Sequence, residues 1–471
     1  MTIFIHAYRS FSIRYILGTD IFKTLKSSGN RIVIFVKDEE VDHFKNVLQD
    51  KQIVIEPVLY YQSRDLMRRN LWIRSLNLLR IMTAGGKSGF LNNTIKMRRI
   101  QYKKEFNTPK SKLLFRVLVI LSRVTSLSNI ARILLNKLMA YTVNGKLYDH
   151  FFNNYQPSLV IISSLGYGID IPFMNSAKRN DCKIISIPHS WDNPSTKGYR
   201  GVKPDKVITW NKTNAKEVEI FHDINPKHIF AGGIAHWDQY FKGEAISGDR
   251  FSFCQKHSLD PEKKILFYAL SGPRHYERRF DVIRGILETI SSGQVTYPSQ
   301  LLVRFHPIYI EEDVNGESLL DHNKSILTEI ALEYGDLVRF WFPKRPHMNQ
   351  NDSLSMSDML DMANAMRISD VIIQEYSTLI LESTIFNTPI INMSIYYYGN
   401  LMHFTHLKHV FKYQSLRNVR TFKEFSDITN QYLSNPALDQ EQREKLFKNE
   451  VDINPGSAGT SIGNYILEQL N

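Results

Sequence analysis

Asp370-Val-Ile-Ile-Gln374 is a nearly continuous apolar run of strand length, the pattern of a strand buried on both faces. A polar turn, Glu375-Tyr-Ser-Thr378, follows it. From Thr378 to Phe386 the apolar residues recur at helical spacing, and Asn387-Thr-Pro389 ends the helix. Pro389 to Met393 reads as the next strand. This succession predicts one unit of a parallel α/β sheet. Ser377 or Thr378 is expected to cap the helix. Unpaired N–H groups and the positive end of the helix dipole then sit at the strand's C-terminal edge, a setting that favours phosphate. Glu382 lies one turn further, on the face of Thr378. A phosphate is repelled there, but a ribose can donate hydrogen bonds to the carboxylate.

The same alternation organises most of the chain. Thr2 to His6, Arg31 to Val36 and Ile53 to Tyr60 predict three strands with helices between them, a βαβαβ start. No Gly-x-Gly-x-x-Gly follows the first strand, so no dinucleotide fingerprint is read there. Strands resume at Leu159 to Ser163, Lys183 to Ile187, Lys206 to Trp210 and His228 to Ala231. Open α/β sheets bind ligands at the C-terminal ends of strands. The loop Pro188-His-Ser-Trp-Asp-Asn193 therefore makes His189 and Asp192 the candidate catalytic residues, with His6 and Asp170 next in line.

Gly243 to Asp260 reads as a linker. A second set of strands follows at Lys264 to Leu270, Leu301 to Phe305, Leu337 to Phe342, Asp370 to Gln374 and Pro389 to Met393. Ser271, Gly272 and Arg274 come just after the first of these, His306 after the second, and Ser377 and Thr378 after the fourth. With Glu382 they form one candidate donor-binding edge. Ser357-Asp358 has no strand before it and reads as a capped helix start. The expected division is residues 1–242, 261–440 and a returning helical segment 441–471.

Charge is concentrated rather than spread. The formal net charge is +12. Residues 64–147 hold eighteen Lys/Arg against only Asp65 and Glu105, which leaves the remainder of the chain near −4. Lys112 to Met139 carries Leu114, Leu118, Leu121, Leu127, Ile130, Leu134 and Leu138 at helical spacing with Arg116, Arg123, Arg132 and Lys137 between them. This is a basic amphipathic insertion suited to anionic lipid or a lipid-linked acceptor. Cys182 and Cys254 cannot build a disulfide framework. The chain start is too short and strand-like for a signal peptide, and no apolar run reaches the roughly 18 residues that span a bilayer. The expected location is the cytoplasm, peripheral at the inner membrane face.

Two Rossmann-like halves with a phosphate-favouring edge in the second resemble the GT-B fold of nucleotide-sugar glycosyltransferases. Val303-Arg-Phe-His-Pro307, Ser369 to Thr378 and Glu382 are similar to the donor site of bacterial surface-polysaccharide enzymes. These include GT-B sialyltransferases, capsule Kdo transferases and CDP-glycerol glycerophosphotransferases. The resemblance implies that His306, Ser377 and Thr378 hold the donor's phosphate and that Glu382 holds its ribose. Ile187 to Asn193, Lys206 to Asn211 and Ala231-Gly-Gly-Ile-Ala-His-Trp-Asp238 also resemble surface-glycan transferases. The chain departs from the glycerophosphotransferase pattern at Glu375, where that family has Asp, and at Ser190, where it has Gly. The expected activity is metal-independent transfer of a sugar from a nucleotide-sugar donor to a glycan or lipid-linked acceptor. No Asp-x-Asp motif is present, and neither a cofactor nor nucleic acid is expected. A teichoic-acid type CDP-alcohol phosphotransferase, a sugar-nucleotide 2-epimerase and a non-catalytic glycan-binding scaffold are the alternatives.

Overall fold

The computed structural model describes residues 1–69, 71–83, 103, 106–143, 145–243, 248–272, 278–311, 317–343, 357–397 and 404–470. The first set of strands is β1 (Thr2–His6), β2 (Arg31–Val36), β3 (Ile53–Pro57), β4 (Leu159–Ile162), β5 (Lys183–Ser186), β6 (Lys206–Thr209) and β7 (Ile229–Ala231). They form one sheet in the order β3-β2-β1-β4-β5-β6-β7. The second set is β8 (Lys264–Ala269), β9 (Ser299–Arg304), β10 (Val338–Trp341), β11 (Val371–Gln374), β12 (Ile390–Met393) and β13 (Arg417–Val419). Its order is β10-β9-β8-β11-β12-β13. Every pairing among the described residues is parallel, for example Phe4 on Val33 and on Val160, and Phe267 on Leu302 and on Ile372. Parallel strands need helical crossovers that cover both faces, which is why runs such as Ile-Val-Ile-Phe-Val are apolar on both sides and fully buried. The chain thus has the GT-B fold: two Rossmann-like sheets that face a cleft, with a helical insertion in the first.

In both sheets the strand order reverses between the first and fourth strands, β1/β4 and β8/β11. Loops leave these neighbours in opposite directions and open a crevice at the C-terminal edge. The two crevices meet. Tyr240, from the 3-10 helix Ala235–Phe241, donates its hydroxyl to Glu382 of the second half. Trp191, after β5, lies edge-on to His406 at 5.0 Å, at the start of the Thr405–Phe411 helix. One apolar cluster runs from β1 through Trp210 and Trp237 to Ile380 and Leu407.

The structure adds two elements that the sequence did not predict and shortens a third. The stretch read as a linker contains the Arg250–His257 helix, capped by Asp249 and tied by Arg250 to Asp370 at 3.2 Å. Its few apolar residues, Phe253 and Cys254 among them, give too little periodicity to read. Strand β13 is three residues long and carries Arg417 and Asn418, so its sequence shows no strand pattern. The helix expected from Thr378 to Phe386 is α-helical only over Leu379–Glu382 and continues as a 3-10 turn, Ser383–Ile385. Its macrodipole is correspondingly small.

The chain's end seals the first domain. The Ala458–Glu468 helix packs on the Asp20–Ser27 helix, and the two approach so closely that a Cβ on Gly463 would lie 2.6 Å from Cβ of Thr24. Asp238 caps the returning helix, accepting from the N–H groups of Ala458 at 3.0 Å and Gly459 at 2.7 Å. Gly463→Val is expected to cost about 1–3 kcal/mol through overpacking, read as a lower urea midpoint. Asn464→Ala, on the exposed face of the same helix, is expected to leave the midpoint within about 0.5 kcal/mol. Equal midpoints for Gly463→Val and the wild type would refute the close contact.

Candidate functional site in the interdomain cleft

On the second domain's edge, the switch point is built around a buried carboxylate. Glu375 follows β11 and is 1% exposed. Its Oε1 accepts from the Tyr268 hydroxyl at 2.5 Å, and its Oε2 from the Ser271 hydroxyl at 2.5 Å and from Arg279 at 2.8 Å. Arg279, at the start of the Arg279–Ser291 helix, also donates to the Tyr309 hydroxyl. Ser271 therefore directs its hydroxyl at Glu375. Among the described residues, no atom lies within 4 Å of a would-be Cβ on the neighbouring Gly272. Arg274 lies outside the described residues.

The turn after Glu375 is shaped by amides. Tyr376 adopts a left-handed backbone, φ 50°, and donates its N–H to Asn392 Oδ1 at 3.0 Å. Ser377 donates its N–H to Gln374 Oε1 at 2.9 Å, and its Oγ accepts from Leu379 N–H at 3.3 Å. Ser377 thus supports the turn one residue before the helix N-cap, Thr378, whose side chain makes no capping bond. Thr378 is half-buried, and its carbonyl opens the helical hydrogen bonding. His306 is exposed after β9, and its Nδ1 accepts from Ile308 N–H at 3.2 Å. That bond fixes the tautomer that carries its proton on Nε2. Glu382 is half-buried against Tyr240. Burial raises its pKa to about 7, against the opposing pull of the Tyr240 hydrogen bond and the Arg14 charge.

The first domain's edge carries its own set of ionisable groups. His6, at the end of β1, is fully buried, with Nδ1 3.1 Å from Asp170 Oδ1. Asp170 opens the Asp170–Arg179 helix after β4; it accepts from Ser164 Oγ at 2.5 Å and lies 3.6 Å from Arg9. Burial pushes the Asp170 carboxyl up, but Arg9 and His6 outweigh it and hold it below its usual value. His189 Nδ1 lies 2.8 Å from the Ser163 carbonyl. A carbonyl only accepts, so the bond places the proton on Nδ1 and leaves Nε2 as an acceptor. Burial and then the Arg9 charge lower the His189 pKa to about 4. Asp192 is held at about 2: burial opposes ionisation, while Lys197, His406 and its hydrogen bonds favour it. Both its oxygens are engaged within its own loop, Oδ1 by Ser190 and Oδ2 by Thr196 at 2.8 Å.

The fold therefore gathers His189, Asp192, His6 and Asp170 on one edge, and Ser271, Gly272, Ser377, Thr378 and His306 on the other, with Glu382 spanning the cleft. Sequence reasoning missed Arg9, which sits in the loop after β1, and Arg279 and Tyr240, whose partners are 96 and 142 residues away. It read Asp358 as a plain helix start. Asp358 in fact holds Arg304, at the end of β9, through two bonds of 2.6 and 2.8 Å. A strand-end arginine was the available signal.

No family model matches the chain, and no curated protein matches it in sequence. Solved structures do match it. UDP-GlcNAc 2-epimerase from Neisseria meningitidis bound to UDP-GlcNAc aligns with a TM-score of 0.53 at 10% identity, covering 99% of this chain and 100% of that one. The S. aureus MnaA–UDP co-structure aligns at 0.52 with 12% identity, over 100% and 97% of the two chains. A variant of the wall teichoic acid polymerase TagF gives 0.48 at 10% identity, over 100% and 89%. At these identities the likeness is one of fold. These neighbours are GT-B-type enzymes.

The raised Glu382 pKa has a stability consequence. The unfolded chain ionises Glu near its ordinary value of about 4.3, while the folded chain keeps this proton to about 7. Folding stability therefore falls as pH rises between these values and levels above them. Relative to Glu382→Gln, the wild type is expected to lose thermal stability from pH 5 to 7 and no more from 7 to 8. Parallel melting profiles across that range would remove the assignment.

Proposed function

We propose that the protein is a glycosyltransferase moving a sugar from a nucleotide-activated donor to a growing or lipid-linked bacterial surface polysaccharide. One observation carries the reading. Two strand-order switch points share a cleft: one edge carries His6, Asp170, His189 and Asp192, and the other sets His306, Ser377 and Thr378 beside the buried Glu375–Arg279 pair. In this reading residues 1–242 present the acceptor, residues 261–440 hold the donor, and residues 441–471 return to close the first domain. UDP and UDP-GlcNAc in the neighbouring structures support a nucleotide-sugar donor.

His189 is the proposed general base. Its Nδ1 bond to Ser163 leaves Nε2 able to take the proton of an acceptor hydroxyl. The hydroxyl oxygen bonds to the sugar's anomeric carbon as the bond to the donor phosphate breaks, and the nucleotide diphosphate leaves with that electron pair. His306, Ser377, Thr378, Gly272 and Arg274 would receive the diphosphate, Glu382 the ribose, and Ser271 would act through Glu375. Donors aimed at the leaving phosphate stabilise charge that grows in the transition state. Asp192 fits a positioning role, since its own loop occupies both oxygens. The transfer is proposed to run without a metal or cofactor.

Free nucleotide is expected to appear only when acceptor is added, and to persist in EDTA. Conversion of the sugar nucleotide alone would instead identify an epimerase, and binding without turnover a scaffold. His189→Ala is expected to lower turnover by about 10²-fold or more, with nucleotide affinity little changed. The base is neutral above a pKa of about 4, so its acid limb should lie near that value. A profile flat from pH 5 to 6 fits; near-wild-type turnover in His189→Ala would move the base to Asp170 or His6.

A further inference from the structure

The helical insertion carries apolar residues on two faces. In the Pro109–Leu127 helix Ser111, Leu118, Ser122 and Ser126 are buried, and Leu114, Phe115 and Val119 pack beside them on the domain core. Ser122 and Ser126 return their hydroxyls to carbonyls of their own helix, and Thr125 meets Thr83 of the Leu71–Thr83 helix at 2.6 Å. The outward face is Leu113, Val117, Ile120, Val124 and Leu127, at spacings of three and four that align them along one stripe. The next helix, Asn129–Thr142, follows after one residue, buries Arg132, Leu135 and Met139, and carries Ile130, Ile133, Leu134, Leu138 and Tyr141 outward. Leu127 is 78% exposed and Ile130 71%. Both helices already rest on the Leu71–Thr83 helix with their other face, so among the described residues the outward stripes are not a core turned to its own domain. Contiguous apolar surface of this kind marks an interaction site.

Charge identifies the occupant. From Phe106 to Tyr148 the chain holds seven Lys/Arg and no Asp or Glu. Arg132, expected on the basic face, is instead buried and paired with Asp223 at 2.6 Å, with Ser126 and Asn129 as further partners. Lys110, Lys112, Arg116, Arg123 and Lys137 remain outside the core beside the apolar stripes. A second copy of the chain would oppose this positive surface with the same charges. An anionic bilayer complements both features: acyl boundary for the apolar stripe and phosphate for the long basic side chains.

We propose that the paired helices Pro109–Leu127 and Asn129–Thr142 insert shallowly into an anionic leaflet, apolar side inward, and hold the cleft at the membrane surface. The membrane contact belongs to the transferase reading, but the insertion stands on these two helices alone. Among the described residues no helix is long and apolar enough to cross a membrane, so the contact is interfacial.

Flotation of the full chain with vesicles tests the insertion without donor or acceptor, so it can fail while the transferase reading survives. Vesicles of phosphatidylcholine with phosphatidylglycerol are expected to carry the protein, and phosphatidylcholine alone much less. High salt should reduce binding but leave a residue, because apolar insertion is not screened. The Leu127→Glu/Ile130→Glu double variant changes only exposed side chains. It is expected to keep the wild-type melting temperature and nucleotide release with a water-soluble acceptor, and to lose about tenfold or more of vesicle binding. Failure of the wild type to float with anionic vesicles would overturn the proposal, as would complete loss of binding in high salt or wild-type binding by the double variant. A solution dimer that this variant dissolves would assign the face to a second copy and overturn it equally.

Discussion

The second domain's edge depends on one buried ion pair. Arg279 and Glu375 lie 2.8 Å apart with their side chains almost wholly out of water. Burying a charge is tolerated only when its remaining lone pairs and protons are also met, and removing one partner leaves the other uncompensated. Here Tyr268, Ser271 and Tyr309 complete the set. These groups come from β8, the loop after it, the turn after β9 and the helix at Arg279, while Glu375 continues β11. The pair therefore fixes the two strands at the point where their order reverses, and through Tyr376 and Ser377 it sets the turn that faces the cleft.

The first domain repeats the device with a different finish. Asp170, after the fourth strand of its sheet as Glu375 is after the fourth strand of the other, is also fully buried. Its partners are His6, Ser164 and Arg9. Arg9 reaches further, since its charge also depresses the pKa of His189. Among the described residues, His6 Nε2 is buried without a hydrogen-bond partner. One crevice is thus closed by a saturated network, and the other keeps imidazole nitrogens in play. In the proposed transfer, a cleft that binds the donor on one side and moves a proton on the other has use for both.

An apolar cluster joins the two domains, with Trp210 and Trp237 on one side and Ile380 and Leu407 on the other. Within the first domain Phe11, Tyr15, Trp210, His236 and Trp237 form one aromatic group. Burial there lowers the His236 pKa to about 3, so it serves as a neutral packing ring at physiological pH. The Ala231-Gly-Gly-Ile-Ala-His-Trp-Asp238 stretch gains a structural reason. A Cβ at Gly233 would lie 2.2 Å from the Ile453 carbonyl, and Asp238 caps the returning helix.

Much of the architecture was legible in the residues themselves. Apolar runs covered on both faces require parallel strands with helical crossovers, and this placed twelve of the thirteen strands among the described residues, all but the short polar β13. Strand ends are local features too, so His189, Ser271, His306 and Ser377 could be named from the chain alone. What the chain could not reveal are contacts set by sheet order. The closure of Glu375 by Arg279, the reach of Tyr240 to Glu382 and the pairing of Arg132 with Asp223 each join residues far apart in sequence. The helical insertion shows the same division. Its periodicity fixed two amphipathic helices, but periodicity is blind to which face meets the protein. Only packing against the Leu71–Thr83 helix decided that Leu118 and Leu135 turn inward while Leu127 and Leu134 turn outward, because burial belongs to the neighbours a residue meets and not to the residue.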